Sequence, residues 1–179
     1  AALIRLRLRD QRYNMLFDAG ASGAVLLHNA ACFGFDWGEL DAIALSHGHD
    51  DHTGGLMAAL GQLGGRRIPV FVHPDMFLER GAQEKDGKVR AEKPALVQSK
   101  LEAAGVDLVF NKEPCPLFGG ALYVLGEIPR RTDFEVGVPA QVKREGDHWT
   151  PDPWVWDDRS ILLSVRGEGL VVVTGCVHA

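Results

Sequence analysis

The stretch LDAIALSHGHDDHTGGL, residues 40–56, constrains the fold more than any other part of the chain. The apolar run around Ile43 and Leu45 reads as a short buried strand. Directly after it, three histidines and two aspartates fall within six residues, His47 to His52. A strand end followed by a loop turns His47 and His49 to the same side, because alternate residues share a face. Asp51 and His52 then fall where the chain turns into the next helix, and they address a neighbouring position. Gly54 and Gly55 let the backbone turn tightly with no side chain in the way.

Two neutral imidazoles suit zinc or a similar divalent ion, and a carboxylate with a third imidazole suits a second one. A helix N-cap would account for Asp50 or Asp51 alone. It does not account for three histidines, which would repel one another if protonated. The expected metal ligands are therefore His47, His49, Asp51 and His52.

The rest of the chain supplies the frame. Residues 3–9 and 14–18 read as two strands joined by Asp10-Gln11-Arg12, since Ile4, Leu6 and Leu8 alternate with Arg5, Arg7 and Arg9. A helix follows from the candidate N-cap Ser22 to the stop at Gly34, and another begins near the histidine motif. IPVFVHPD, VDLVF and GALYVLGEIPR read as further strands, with helices near 75–81 and 95–105. Residues 136–156 read as irregular, and SILLSVRGEGLVVVTG as two strands about a Gly-Glu-Gly turn. Strands alternating with helices mean an α/β fold, and the terminal hairpins mean a mixed sheet.

Apolar residues make up 46% of the 179, enough for a packed core. The net charge of −5, with no basic run longer than a pair, argues against a nucleic-acid partner. No apolar run reaches the ~18 residues of a membrane span. Cys32, Cys115 and Cys176 form no CxxC pair, which favours a reducing compartment, the cytoplasm. The chain opens without Met, already in a strand pattern, and stops just past an apolar strand. It is expected to be one incomplete domain, residues 1–179, with an N-terminal strand and a C-terminal piece beyond it.

Taken together, LFDAGASGAVLLHNA, LDAIALSHGHDDHTGGL, VFVHPD, GEIPR and DDRSILLSVRGEGLVVVTGCVHA resemble the metallo-β-lactamase-fold superfamily. GEIPR and TGCVH resemble its 7,8-dihydropterin-6-yl-methyl-4-(β-D-ribofuranosyl)aminobenzene 5′-phosphate synthase-like subgroup. The resemblance implies an αββα sandwich, truncated at both ends: two mixed β-sheets face to face, helices outside, and the metal site at one edge. It implies two zinc ions, with manganese or iron as alternatives. His47 and His49 would hold the first, Asp51 and His52 the second. Asp18 of LFDAG would orient the motif loop by accepting a hydrogen bond; unaided, it reads equally as a turn residue before Gly20.

Where relatives place a bridging aspartate, this chain has Cys176, with His178 two residues on. Either Cys176 replaces the carboxylate as a thiolate, or His178 is the ligand and Cys176 lies beneath it as a small buried residue. The superfamily's final histidine and its mid-chain histidine have no counterpart here.

Other candidates are His73, Glu127 and Arg130 as substrate contacts, Arg130 gripping a carboxylate or phosphate. Structural roles compete at each: a strand-end histidine and a surface salt bridge. His28 and His148 read as packing or solvated. Trp149, Trp154 and Trp156 would form a lid or cover the core. Asp157 and Asp158 carry only turn chemistry by themselves.

The expected function is metal-dependent hydrolysis of a small, anionic ester, lactone or phosphoester by a metal-bound hydroxide, with Asp51 and His178 catalytic. No G-x-S-x-G nucleophile is present. His49 stands where the resemblance would place glutamate in di-iron relatives, which favours hydrolysis over redox chemistry. The alternatives are a pterin-linked transferase and a non-catalytic metal sensor. The pattern specifies no oligomeric state.

Overall fold

The computed structural model describes residues 1–92 and 96–178. Along the chain run β1 (Ala2–Leu8), β2 (Gln11–Phe17), α1 (Gly23–Cys32), β3 (Ala42–Ala44), α2 (Asp50–Thr53), α3 (Leu56–Gly61), β4 (Pro69–Val72), β5 (Arg80–Gln83) and β6 (Val89–Ala91). Then follow α4 (Gln98–Ala103), β7 (Asp107–Phe110), β8 (Cys115–Leu117), β9 (Leu122–Val124), β10 (Gln141–Glu145), β11 (His148–Pro151), β12 (Ser160–Val165) and β13 (Gly169–Thr174).

The first sheet has the order β1-β2-β3-β4-β7. β1 and β2 are antiparallel, while β2, β3, β4 and β7 run parallel. Each parallel connection needs a crossover, and α1, α3 and α4 supply them. A positive φ at Arg9 closes the first hairpin in two residues, so pairing starts at Gln11 and not at Asn14.

Alternation sorts the strands onto two cores. Leu16, Ile43, Val70 and Val72 face the helices, meeting Leu26, Leu56, Ala59, Leu60 and Leu101. Met15, Phe17, Ala42, Ala44 and Phe71 face the opposite way, onto Leu117, Leu122, Val124, Ile161 and Leu163 of a second sheet. Because β3 is covered on both faces, its three residues are all buried, as interior parallel strands must be. A fully buried Ile or Leu contributes about 1.5–3 kcal/mol of transfer free energy.

The second sheet, β13-β12-β9-β8, is antiparallel throughout, not mixed, because hairpins and short connections join its strands. Its outer face is bare: Leu170 and Val172 are exposed, and no helix covers them among the described residues. The outer helix layer of the expected αββα sandwich is therefore not seen there.

A third sheet, β11-β10-β5-β6, is an addition that sequence patterning did not foresee. It occupies the stretch expected to hold a helix near 75–81, where Pro74–Phe77 makes one 3-10 turn and β5 follows. It also occupies the stretch expected to be irregular, which contains the β10–β11 hairpin. β5 pairs with β10 across some sixty residues, a contact no local window reports.

Gly54 and Gly55 have ordinary helical φ values of −60° and −87°. What they supply is space, not an unusual turn. A Cβ on Gly55 would collide with the Ala19 carbonyl, and one on Gly54 with the Ala21 carbonyl. Bare backbone lets the start of α3 press against the loop after β2.

Candidate metal centre

The site grows from the C-terminal ends of β2 and β3. Asp18 follows β2 with φ 59°, a left-handed conformation that Asp tolerates better than most residues. This turn aims its carboxylate at the loop after β3. Oδ1 accepts from Ser46 N at 2.7 Å, and Oδ2 accepts from Ser46 Oγ at 2.9 Å. Oδ2 also lies 2.7 Å from His52 Nδ1. Asp18 is thus buried and orients the loop, and it is more than a turn former.

Hydrogen bonding assigns the tautomers. Asp18 takes the Nδ1 proton of His52, leaving the Nε2 lone pair free. Ser46 Oγ has given its proton to Asp18, so it accepts from His47 Nδ1 at 2.8 Å. His47 Nε2 then carries a lone pair, and it points at His49 Nδ1 from 3.0 Å. The other nitrogen of His49, Nε2, is buried without a hydrogen-bond partner among the described residues; a carboxylate oxygen of Glu92 lies 3.8 Å away. With no partner at Nε2, the metal-free His49 keeps its proton at Nδ1 and donates it to the His47 Nε2 lone pair. A cation would take the place of that proton once His49 carries its own at Nε2, and two ~2.0–2.1 Å nitrogen–zinc bonds span the separation comfortably.

The C-terminal strand brings in the remaining donors. His52 Nε2 lies 3.0 Å from Cys176 Sγ and 3.5 Å from Asp51 Oδ2. Three sets each have donor atoms within 4.8 Å of one another: His47, His49 and Asp51; Asp51, His52 and Cys176; His47, Cys176 and His178. All six expected ligand positions meet in one place. Cys176 is exposed and not a small buried residue beneath His178, so the two choices left open by the sequence are both presented to the site.

Asp157 and Asp158 correct the turn reading. Asp158 Oδ2 accepts from His178 N at 2.6 Å and faces His178 Nδ1 at 2.9 Å, orienting that imidazole as Asp18 orients His52. Asp157, 0% exposed, accepts from Gly48 N at 2.8 Å and pairs with buried Arg80. Arg159, also 0% exposed, donates to Leu45 O and Asn111 O at 3.1 Å each. Sequence reasoning missed Ser46, Arg80, Glu92 and Arg159. The available hint was three charges, Asp157-Asp158-Arg159, abutting an apolar strand. Charges there must be paired if buried.

The other candidates lie apart from this cluster. His73 is fully buried, accepts from Asp75 N at Nδ1, and meets Glu127 at 3.0 Å through Nε2. Glu127 is shared with Lys112 at 2.9 Å. Arg130 donates to Trp154 O and lies 5.9 Å over the Trp156 ring. None of these contacts joins them to the six donors.

Burial decides the charge states. It pushes His47 down to about 2, against the pull of Asp158. It lowers His49 despite Glu92, and lowers His73 despite its bond to Glu127. The bond to Asp18 raises His52, overcoming burial. Burial and the Asp51 and Asp158 charges raise the Cys176 thiol, a balance a cation would invert.

These shifts predict a pH dependence for the metal-free protein. His47, His49 and His73 are held below their usual value when folded but titrate near 6.5 when unfolded. Below about pH 6.5 the unfolded chain therefore binds more protons, and stability falls. His52 acts oppositely: its contribution is present below 6.5 and is lost as pH rises through its raised folded value. Three outweigh one, so urea midpoints should drop between pH 7 and pH 5. Each unopposed histidine costs about 1.4 kcal/mol per pH unit. An unchanged midpoint would contradict the assigned neutral forms.

The sequence model of the Metallo-beta-lactamase superfamily matches residues 2–179. A 7,8-dihydropterin-6-methyl-4-(beta-D-ribofuranosyl)-aminobenzene-5′-phosphate synthase of Methanocaldococcus jannaschii is 29% identical over 182 residues, covering 98% of this chain and 60% of the relative. The chain thus spans about three fifths of that relative's length. A Cronobacter sakazakii metallo-beta-lactamase superposes with a TM-score of 0.52 at 17% identity, over 95% of this chain and 56% of the other. A quorum-quenching N-acyl homoserine lactone lactonase gives 0.50 at 13% identity, over 94% and 57%. At these identities the likeness is one of fold. No helix among the described residues is long and apolar enough to cross a membrane.

Proposed function

The chain belongs to the metallo-beta-lactamase superfamily, and from that premise we propose that it is a metal-dependent hydrolase of a small ester, lactone or phosphoester. The supporting observation is the pair of nitrogens, His47 Nε2 and His49 Nδ1, facing each other at 3.0 Å. His47 and His49 would hold one divalent ion, and Asp51, His52 and Cys176 a second. His178, with Nδ1 held by Asp158, would offer Nε2 as a further ligand beside His47 and Cys176. When bound, such ions supply Lewis acidity and, by lowering the pKa of water, a nucleophile at neutral pH.

The chain's own residues do the rest. Asp18 and Asp158 keep the far nitrogens of His52 and His178 occupied, so neither ring can turn away. The Asp51 side chain, 60% exposed, is free to accept the attacking water's proton at a carboxylate oxygen. The small-molecule substrate approaches from that open side.

A second reading rests on the 29%-identical synthase, whose match spans 98% of the chain. In it the same donors activate a leaving group, joining a pterin to an aminobenzene ribofuranosyl phosphate. Elemental analysis and a panel of phosphodiesters, lactones and thioesters separate the two. Hydrolysis that chelator abolishes and divalent metal restores supports the first reading. Release of pyrophosphate from a pterin pyrophosphate only when an aminobenzene ribofuranosyl phosphate acceptor is present, with no turnover of the panel, supports the second. Bound metal with turnover of neither would overturn both and leave a metal sensor.

A further inference from the structure

Gly48 lies between the two imidazoles that face each other, and its surroundings leave it no freedom. On one side, a Cβ would come within 2.7 Å of Met76 O. On the other, its N–H is held by Asp157 Oδ2 at 2.8 Å. The Asp157 carboxylate is itself immobile. Arg80 grips it with both terminal nitrogens, NH2 to Oδ1 at 2.6 Å and NH1 to Oδ2 at 3.1 Å. Arg80 Nε is held in turn by Asp152 at 2.9 Å. All three side chains are buried, where a planar fork on a carboxylate fixes both distance and orientation.

Arg80 opens β5, and Asp152 follows β11, so both come from the third sheet. The same sheet reaches the site by a second route. Glu92, just after β6, lies 3.8 Å from His49 Nε2. The other half of the site is held differently: His52 by Asp18, after β2 of the first sheet, and His178 by Asp158.

From these contacts we infer that Asp157, locked by Arg80, is a positioning residue that fixes Gly48 and thereby the spacing of His47 and His49. The added sheet is the frame that holds this half of the site. The inference rests on the metal-binding reading above. It gives the histidine pair a support of its own beside the Asp18–Ser46 link to His47, so a fault in the added sheet weakens that half of the centre more than the other.

Cobalt(II) titration of the metal-free full chain tests this, because the two halves report differently. Cobalt beside Cys176 gives a thiolate charge-transfer band, and cobalt at His47 and His49 does not. In Asp157→Asn, affinity at the histidine pair should fall roughly 10- to 100-fold, the range for losing an orienting partner. The thiolate band should titrate as in the wild type. Arg80→Lys, which keeps the charge but loses the fork, should show the same split at smaller size, with faster hydrogen exchange at the Gly48 amide before metal is added. Equal affinity at both halves in both variants would overturn the inference. So would parallel loss at both halves with a collapsed thermal transition in the metal-free variants, which marks the pair as merely structural. If Asp157→Asn alone fails to fold, Arg80→Lys decides. A wild-type chain that takes up no cobalt would instead overturn the metal-binding reading itself.

Discussion

His49→Ala is expected to lower kcat/KM for the hydrolysed substrate by about two to three orders of magnitude, roughly 3–4 kcal/mol of barrier, while the metal-free fold barely changes. The two effects part because of what the ring does. Its Nδ1–H donates a single hydrogen bond to His47 Nε2 in the metal-free protein. Its Nε2 has no hydrogen-bond partner among the described residues. The metal-free protein therefore loses one hydrogen bond, worth roughly 0.5–1.5 kcal/mol, and modest packing of a part-buried side chain when the ring is removed. The loaded protein loses one of two nitrogens in its best-formed pair. Metal content, kcat/KM at saturating metal and urea midpoints of the metal-free variant are the readouts. Undiminished turnover with full metal content would remove His49 from the site.

Arg159→Ala is expected to act in the opposite sense, on the fold first. This guanidinium is wholly buried, though burial lowers its pKa only to about 10, so it stays charged at neutral pH. It donates to the Leu45 carbonyl just after β3 and to Asn111 just after β7. Its own backbone N–H reaches Ser46 O at 3.2 Å. One residue thus ties the start of β12 to the strand that feeds the histidine loop. Truncation leaves the Leu45 carbonyl dry, opens a cavity, and takes a cation from beside Asp157. The expected cost is about 3–5 kcal/mol, as for breaking other buried charge networks. For a chain of this size that is on the order of 10 °C in Tm. Urea denaturation of the metal-free protein should show a lower midpoint with an unchanged slope. A cost below about 1 kcal/mol would mean that the carbonyl finds water.

Much of the centre was legible because it is local. His47, His49, Asp51 and His52 sit in one strand–loop–helix turn, and period-2 geometry alone brings the first two together. Asp18 and His178 were reached through resemblance, since their partners are 28 to 34 and 20 residues away. Arg80 was not reached at all. It sits in a stretch that local patterning assigned to a helix, and its partner Asp157 is 77 residues on. β5 is a strand because β10 pairs with it, not because its residues, RGAQ, prefer extension.

By itself, the order of residues determined the α/β class, the buried strand at Ile43 and the four-residue candidate ligand motif, because periodicity and short-range geometry act within a few residues. Tertiary structure alone decided that Cys176 and His178 both reach the motif, that Asp157 and Asp158 are buried anchors, and that a third sheet frames one half of the site. Those outcomes depend on which distant carboxylate neutralises which buried cation, and a local pattern carries no record of a partner that lies elsewhere in the chain.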